Sequence, residues 1–170
     1  MPNRVDEMLS QGMGKAKAIK ARLSGLVGVF ATLSEQHGEA SALLKRVKGH
    51  PAKRAELWPT LRRELLSHER GEMRVVYPEL RAHVETRALA EQHDEEAGEM
   101  EQTVFDLDAT DMNSEAWEAK LGELIRMVEN HVHEEESNIF PRAQETLGEE
   151  MARAMEKRFL DAQAEVKRAA

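Results

Sequence analysis

The stretch that runs from His68 through Glu72 to Pro78 recurs, with the same internal spacing, from His131 through Glu135 to Pro141. Each copy is His-x3-Glu followed by an aliphatic residue, an aromatic residue and proline. The first ends Val76-Tyr77-Pro78 and the second Ile139-Phe140-Pro141. On a helix, residues four apart project from the same face. Two helices that each turn a His and a Glu inward must find partners for those groups, and two such faces opposed in a bundle would form a metal site.

Apolar spacing extends the helical reading to most of the chain. A long helix is expected from about Gly14 to Lys48, with Leu23, Val27, Phe30, His37, Leu44 and Val47 near one stripe and Gly49 as its stop. Pro51 opens a second helix with Leu57, Leu61, Leu65, His68, Glu72, Val75 and Val76 inward, which Pro78 breaks or kinks. A third, roughly Glu79 to Leu107, offers Leu89, His93, Ala97, Met100 and Val104. Asp108 to Ser114 forms a turn in which Ser114 is an N-cap. The fourth carries Trp117, Leu121, Leu124, Val128, His131 and Glu135 and ends near Pro141. After Gly148, Met151, Met155, Phe159, Ala162 and Val166 mark a C-terminal amphipathic helix over about 148–168, either a lid or a self-association surface. No period-two alternation calls for a strand. The expected fold is all-α: an up-down-up-down four-helix bundle with an additional C-terminal helix, in one domain over 1–170 whose core spans about 14–145.

Composition narrows the chemistry. The chain has no cysteine, so disulfides, iron–sulfur clusters, thiolate zinc sites and thiol nucleophiles are excluded. A net charge of −8 argues against a nucleic-acid partner, although residues 1–50 carry twice as many Lys and Arg as Asp and Glu. The basic cluster Lys15, Lys17, Lys20 and Arg22 reads as a solvated helix face. No apolar run is long enough to span a bilayer or to serve as a signal core, so no membrane partner is expected and the expected location is cytoplasmic.

Four of the seven histidines, His37, His68, His93 and His131, fall on the apolar stripes of four different helices. One histidine on such a stripe is ordinarily a hydrogen-bonded core residue. Four, with Glu72 and Glu135 on the same faces, would leave a core full of imidazole and carboxylate that packing alone does not justify. Ligation of a metal removes that cost. His133 lies about 200° round the helix from His131 and should face away. His50 and His83 are read as surface residues too. Glu69 and Glu96 stand as partners for the outer nitrogens of ligating histidines, with solvation the simpler expectation for both. If Glu72 and Glu135 each bridge two ions, each ion receives two histidines and two carboxylate oxygens, leaving about two positions open on a six-coordinate ion. Imidazole with carboxylate suits iron or manganese, and zinc also fits these ligand types.

The ordered set His37, His68-x3-Glu72 with Tyr77-Pro78, His93, and His131-x3-Glu135 with Phe140-Pro141 resembles the hemerythrin-like (HHE cation-binding) domains over roughly residues 30–145. The resemblance implies a non-haem centre of two iron ions, carboxylate- and oxo-bridged, with His37, His68, His93 and His131 as terminal ligands and Glu72 and Glu135 as bridges. Oxygen-carrying members have a fifth histidine four residues after the helix-three histidine, where this chain has Ala97. They also have His-x4-Asp in the last ligand helix, where this chain has Glu135 four residues after His131. The set is more similar to the iron-centre repair and iron-sensing members, without their cysteine-bearing or regulatory domains. Three functions remain: redox handling of O2, peroxide or nitric oxide, with an oxidative-stress role and peroxidase- or catalase-like turnover among the options; iron binding, delivery or sensing without turnover; and a metal-free helical interaction domain.

Overall fold

The computed structural model describes residues 4–169, with side chains from Met8 onward. The expected single domain therefore has its ends, residues 1–3 and 170, outside the described residues. Among those described, the chain is helical with no strand. It runs α1 (Arg4–Leu23), α2 (Val29–Gly49), a 3-10 turn (Pro51–Lys53), α3 (Arg54–Ala82), α4 (Arg87–Asp108), α5 (Glu115–Glu134), a π-helical turn (Glu135–Ile139) and α6 (Phe140–Ala169). No helix is long and apolar enough to cross a membrane.

The helices form a bundle in which α1 packs on α2, α2 on α3 and α6, α3 on α4 and α6, and α4 on α5. Two apolar clusters fill it. One gathers Phe30, Leu33, Val76, Tyr77, Leu80, Phe140 and Phe159, the other Leu57, Leu61, Val104, Leu107, Trp117, Leu121 and Leu124. Each fully buried leucine contributes roughly 1.5–3 kcal/mol relative to exposure. In α2, α3 and α4 the inward histidine lies between the segments that feed the two clusters, while in α5 His131 lies near the end that leads into Ile139 and Phe140 of the first cluster.

Several expected boundaries shift. The helix expected over 14–48 is two helices, because the chain turns at Gly25 and Gly28, both at positive φ. Gly28 has φ 55° and ψ −132°, and a Cβ there would come within 2.3 Å of the Ala152 carbonyl oxygen. Only glycine suits that backbone and that approach. Leu23, placed on the inner stripe by spacing, ends α1 exposed. α3 runs through Pro59 and Pro78 to Ala82 instead of stopping at Pro78. Burial of Val75, Val76, Tyr77 and Leu80 around that proline outweighs the hydrogen bond it forfeits. α4 accordingly begins at Arg87, later than expected, after a turn in which Thr86 Oγ1 donates to the Leu80 carbonyl at 2.7 Å. Ser114 caps α5 as its sequence suggests, its Oγ accepting from Trp117 N at 3.2 Å. Beyond the break at Gly148, Ala152, Met155, Phe159, Gln163 and Val166 are buried, whereas Met151 of the expected stripe is exposed and Ala162 half-buried. That packing sets α6 against α2 and α3.

A candidate metal centre between the two apolar clusters

Every candidate ligand on the inner stripes is buried: His37 on α2, His68 and Glu72 on α3, His93 on α4, His131 on α5 and Glu135 in the π turn. Their ligand-type atoms fall into two groups, within each of which all lie within 4.8 Å of one another. One holds His37, His68 and Glu135, the other Glu69, Glu72, His93 and His131. Glu72 and Glu135 sit between the groups. Glu72 Oε2 is 3.4 Å from His68 Nε2 and 3.9 Å from His93 Nε2. Glu135 Oε2 is 3.0 Å from His37 Nε2 and 3.3 Å from His131 Nε2, while its Oε1 is 3.3 Å from His93 Nε2. Two donors each about 2.1 Å from one ion, at right angles, lie about 3 Å apart, so these separations suit shared ions.

Glu69 corrects an expectation. Solvation was the simpler reading, but the residue is 8% exposed, with Oε1 3.2 Å from His131 Nε2 and Oε2 3.8 Å from His93 Nε2. On α3 it falls four residues after Leu65 and three before Glu72, within the inward stripe. That spacing was the available signal; adjacency to His68 hid it. Glu96 remains more than a third exposed, its Oε2 3.9 Å from His131 Nδ1. His50 and His133 are exposed. His83 is half-buried and caps the end of α3 instead of opening a helix.

Sequence reasoning also missed the surrounding hydrogen bonds. Tyr77, buried completely, donates from its hydroxyl to Glu135 Oε1 at 2.6 Å and stacks on the His93 ring with centroids 3.4 Å apart. His37 Nδ1 lies 3.0 Å from Glu136 Oε1, and His68 Nδ1 lies 2.9 Å from Gln36 Oε1. The π turn accounts for Glu136. Widening of the helix at Glu135–Ile139 lets neighbouring residues 135 and 136 both reach His37, which regular α geometry does not favour.

Burial and the close approach of carboxylates to imidazoles pull these groups in opposite directions. Burial drives the His68 imidazole down to about 3, and the charge of His37 adds to it, so this ring is neutral at ordinary pH. Burial raises the Glu72 carboxyl far above its usual range, helped by Glu135 and Glu69 beside it. Burial pushes Glu135 the same way, but His131, with His37 and His93, outweighs it and holds this carboxylate well below the usual range. Burial would lower His131, yet Glu135 and Glu69 hold it well above the ordinary imidazole value. Among the described residues no hydrogen bond reaches His37 Nε2, His68 Nε2, either ring nitrogen of His93 or His131, either oxygen of Glu72, or Oε2 of Glu69 and Glu135. A buried polar atom left unpaired costs about 1–3 kcal/mol. So many gathered in two adjoining groups fit cations, which the atoms of each group can face together.

The family described as the hemerythrin HHE cation binding domain matches residues 28–143, well over half the chain. The chain belongs to that family. No curated protein and no solved structure gives a match. The matched span begins at Gly28, at the break between α1 and α2, and includes all of α2 to α5 and the π turn. It thus holds every member of the two buried groups. A cation-binding hemerythrin HHE domain is what these His and Glu clusters suit. Ala97 is buried one turn after His93.

Proposed function

We propose that the chain is a non-haem di-iron protein in which His37, His68, Glu72, His93, His131 and Glu135 hold two ions, with Glu72 and Glu135 bridging. The single observation that carries the reading is the gathering of these buried ligand atoms, without hydrogen bonds among the described residues, into two adjoining groups between two apolar clusters. Glu69 joins the His93–His131 side as a further terminal carboxylate. The two ions would therefore be inequivalent, one facing His93, His131 and Glu69, the other facing His37 and His68. The same reading takes residues 1–170 as one domain and α2 to α5 as an up-down-up-down frame. It is supported by α2 and α4 passing from the Phe30 cluster to the Trp117 cluster, while α3 passes back, as does α5 together with the π turn that continues it to Ile139.

Bound iron would supply a reversible ferrous–ferric couple. The chain's part is to hold the ions with neutral imidazoles and bridging carboxylates, to fix Glu135 through the Tyr77 hydroxyl, and to admit a small ligand. A cavity of about 580 Å³ ends on His37, His68, Glu69 and His131, and its outer lining includes the exposed Gln11 and Arg63. Because four of the candidate residues line that opening, it favours reaction with O2, peroxide or nitric oxide over closed storage. Iron delivery or sensing without turnover is the second reading, and the same opening would serve iron exchange. The experiment is anaerobic loading with ferrous iron followed by O2 or hydrogen peroxide. Redox handling predicts near-ultraviolet charge-transfer absorption that appears with oxidant, bleaches on reduction and returns. Iron that leaves readily to a chelator while peroxide goes unconsumed would overturn redox handling in favour of delivery.

A further inference from the structure

Two hydrogen-bonded relays connect the His37–His68 side of the centre to segments outside the matched 28–143 span. From α1, Lys17 Nζ donates to Glu136 Oε1 at 2.8 Å, and the same oxygen faces His37 Nδ1 at 3.0 Å. From α6, Gln163 grips Gln36 by both ends of its amide. Gln163 Nε2 donates to Gln36 Oε1 at 2.8 Å, and Gln36 Nε2 donates to Gln163 Oε1 at 3.0 Å. Gln36 Oε1 then faces His68 Nδ1 at 2.9 Å. An oxygen of this kind only accepts, so in both cases the ring proton belongs on Nδ1. That leaves Nε2 of His37 and of His68 as the inward nitrogen, and neither has a hydrogen bond among the described residues.

The other side is not held this way. His131 Nδ1 is 3.9 Å from Glu96 Oε2, beyond hydrogen-bond range, and His93 Nδ1 has no hydrogen bond among the described residues. The asymmetry is specific to the two histidines grouped with Glu135.

We propose that Lys17 and Gln163 are positioning residues: through Glu136 and Gln36 they fix His37 and His68 with Nε2 turned to the site, so that tight metal binding on that side requires α1 and α6 to be docked. Orienting partners of ligating histidines commonly govern metal affinity by about 10–100-fold. Here the control comes from outside the matched domain, at one end from a half-exposed lysine and at the other from a buried glutamine. Displacement of α1 or of the end of α6 would loosen one ion and leave the other. The inference rests on the di-iron reading above.

The test uses the full chain with Lys17→Met, Gln163→Leu and the conservative Lys17→Arg. Ring ¹⁵N–¹H correlation spectra report the His68 tautomer and the His37 Nδ1 proton without any metal, and cobalt(II) titration followed by visible absorption reports the two binding steps. In the wild type both rings should carry the proton on Nδ1. Gln163→Leu should give His68 a mixed tautomer, Lys17→Met should lose the hydrogen-bonded His37 proton signal, and each should weaken one cobalt step by about 10–100-fold while the other holds. Lys17→Arg should restore the wild-type pattern. Unchanged ring spectra and unchanged cobalt binding in both variants would overturn the proposal. So would equal weakening of both steps, the mark of general loosening. A wild-type chain whose rings behave as stated but which binds no cobalt would sink the metal reading and the affinity claim together, leaving the tautomer assignment standing.

Discussion

Replacing Tyr77 with phenylalanine isolates one bond at the heart of the site. The ring is fully buried and stacks on His93, and phenylalanine keeps that shape; only the hydroxyl that donates to Glu135 Oε1 at 2.6 Å is lost. Glu135 is held ionised by His131, His37 and His93, so the bond is charge-assisted. A hydrogen bond to a charged group contributes about 1.5–3 kcal/mol. For a domain of this length each kcal/mol moves the midpoint by roughly 2–4 °C, which gives a loss of about 3–12 °C in the metal-free protein. With metal bound, the same oxygen has a cation to face and the deficit should shrink to less than half. Thermal unfolding followed by circular dichroism, with and without bound metal, measures both numbers. An unchanged midpoint in the metal-free variant, or a larger deficit with metal than without, would refute the reasoning.

Other perturbations have equally definite outcomes. Glu69→Gln preserves shape but removes a buried charge beside His131, and should weaken one metal step about ten-fold or more while leaving the fold intact; equal affinity for both steps would return Glu69 to a bystander. Loading the metal-free protein with zinc(II) at neutral pH should release on the order of one proton or more per chain, because burial raises Glu72, Glu135 and Glu69 raise His131, and a raised pKa means a proton held until the cation expels it. The same sign makes metal binding weaken as pH falls; an indicator dye that records no release contradicts it. Gly28→Ala should cost at least about 1–2 kcal/mol from its backbone alone, with the approach of Ala152 adding to it, and an unchanged urea midpoint would show that α1 and α2 do not need this turn.

The helices and their inward faces were legible because burial enforces a period that the sequence carries openly. His37, His68, His93 and His131 each interrupt an apolar stripe, and Glu72 and Glu135 follow four residues behind two of them. What stayed hidden depends on local geometry rather than period. The π turn at Glu135–Ile139 has no signature in composition, and without it Glu136 is a weaker candidate than Glu135, which alone lies four residues after His131. Gln36, Gln163 and Lys17 matter through contacts between segments far apart in the chain, which no stripe records. The break at Gly25 and Gly28 was marked by its glycines, yet apolar residues on both sides made one longer helix the simpler reading. At Pro78 the reverse holds: of the break or kink that a proline imposes, the break yields to burial of the residues around it, and α3 continues to Ala82.

The most direct measurement is iron per chain after anaerobic loading and removal of excess metal, made on the wild type and on His68→Ala in parallel. The account predicts two irons in the wild type and a loss of about one in the variant, since His68 faces only one of the two ions. Well under two irons in the wild type, with His68→Ala retaining just as much, would contradict it.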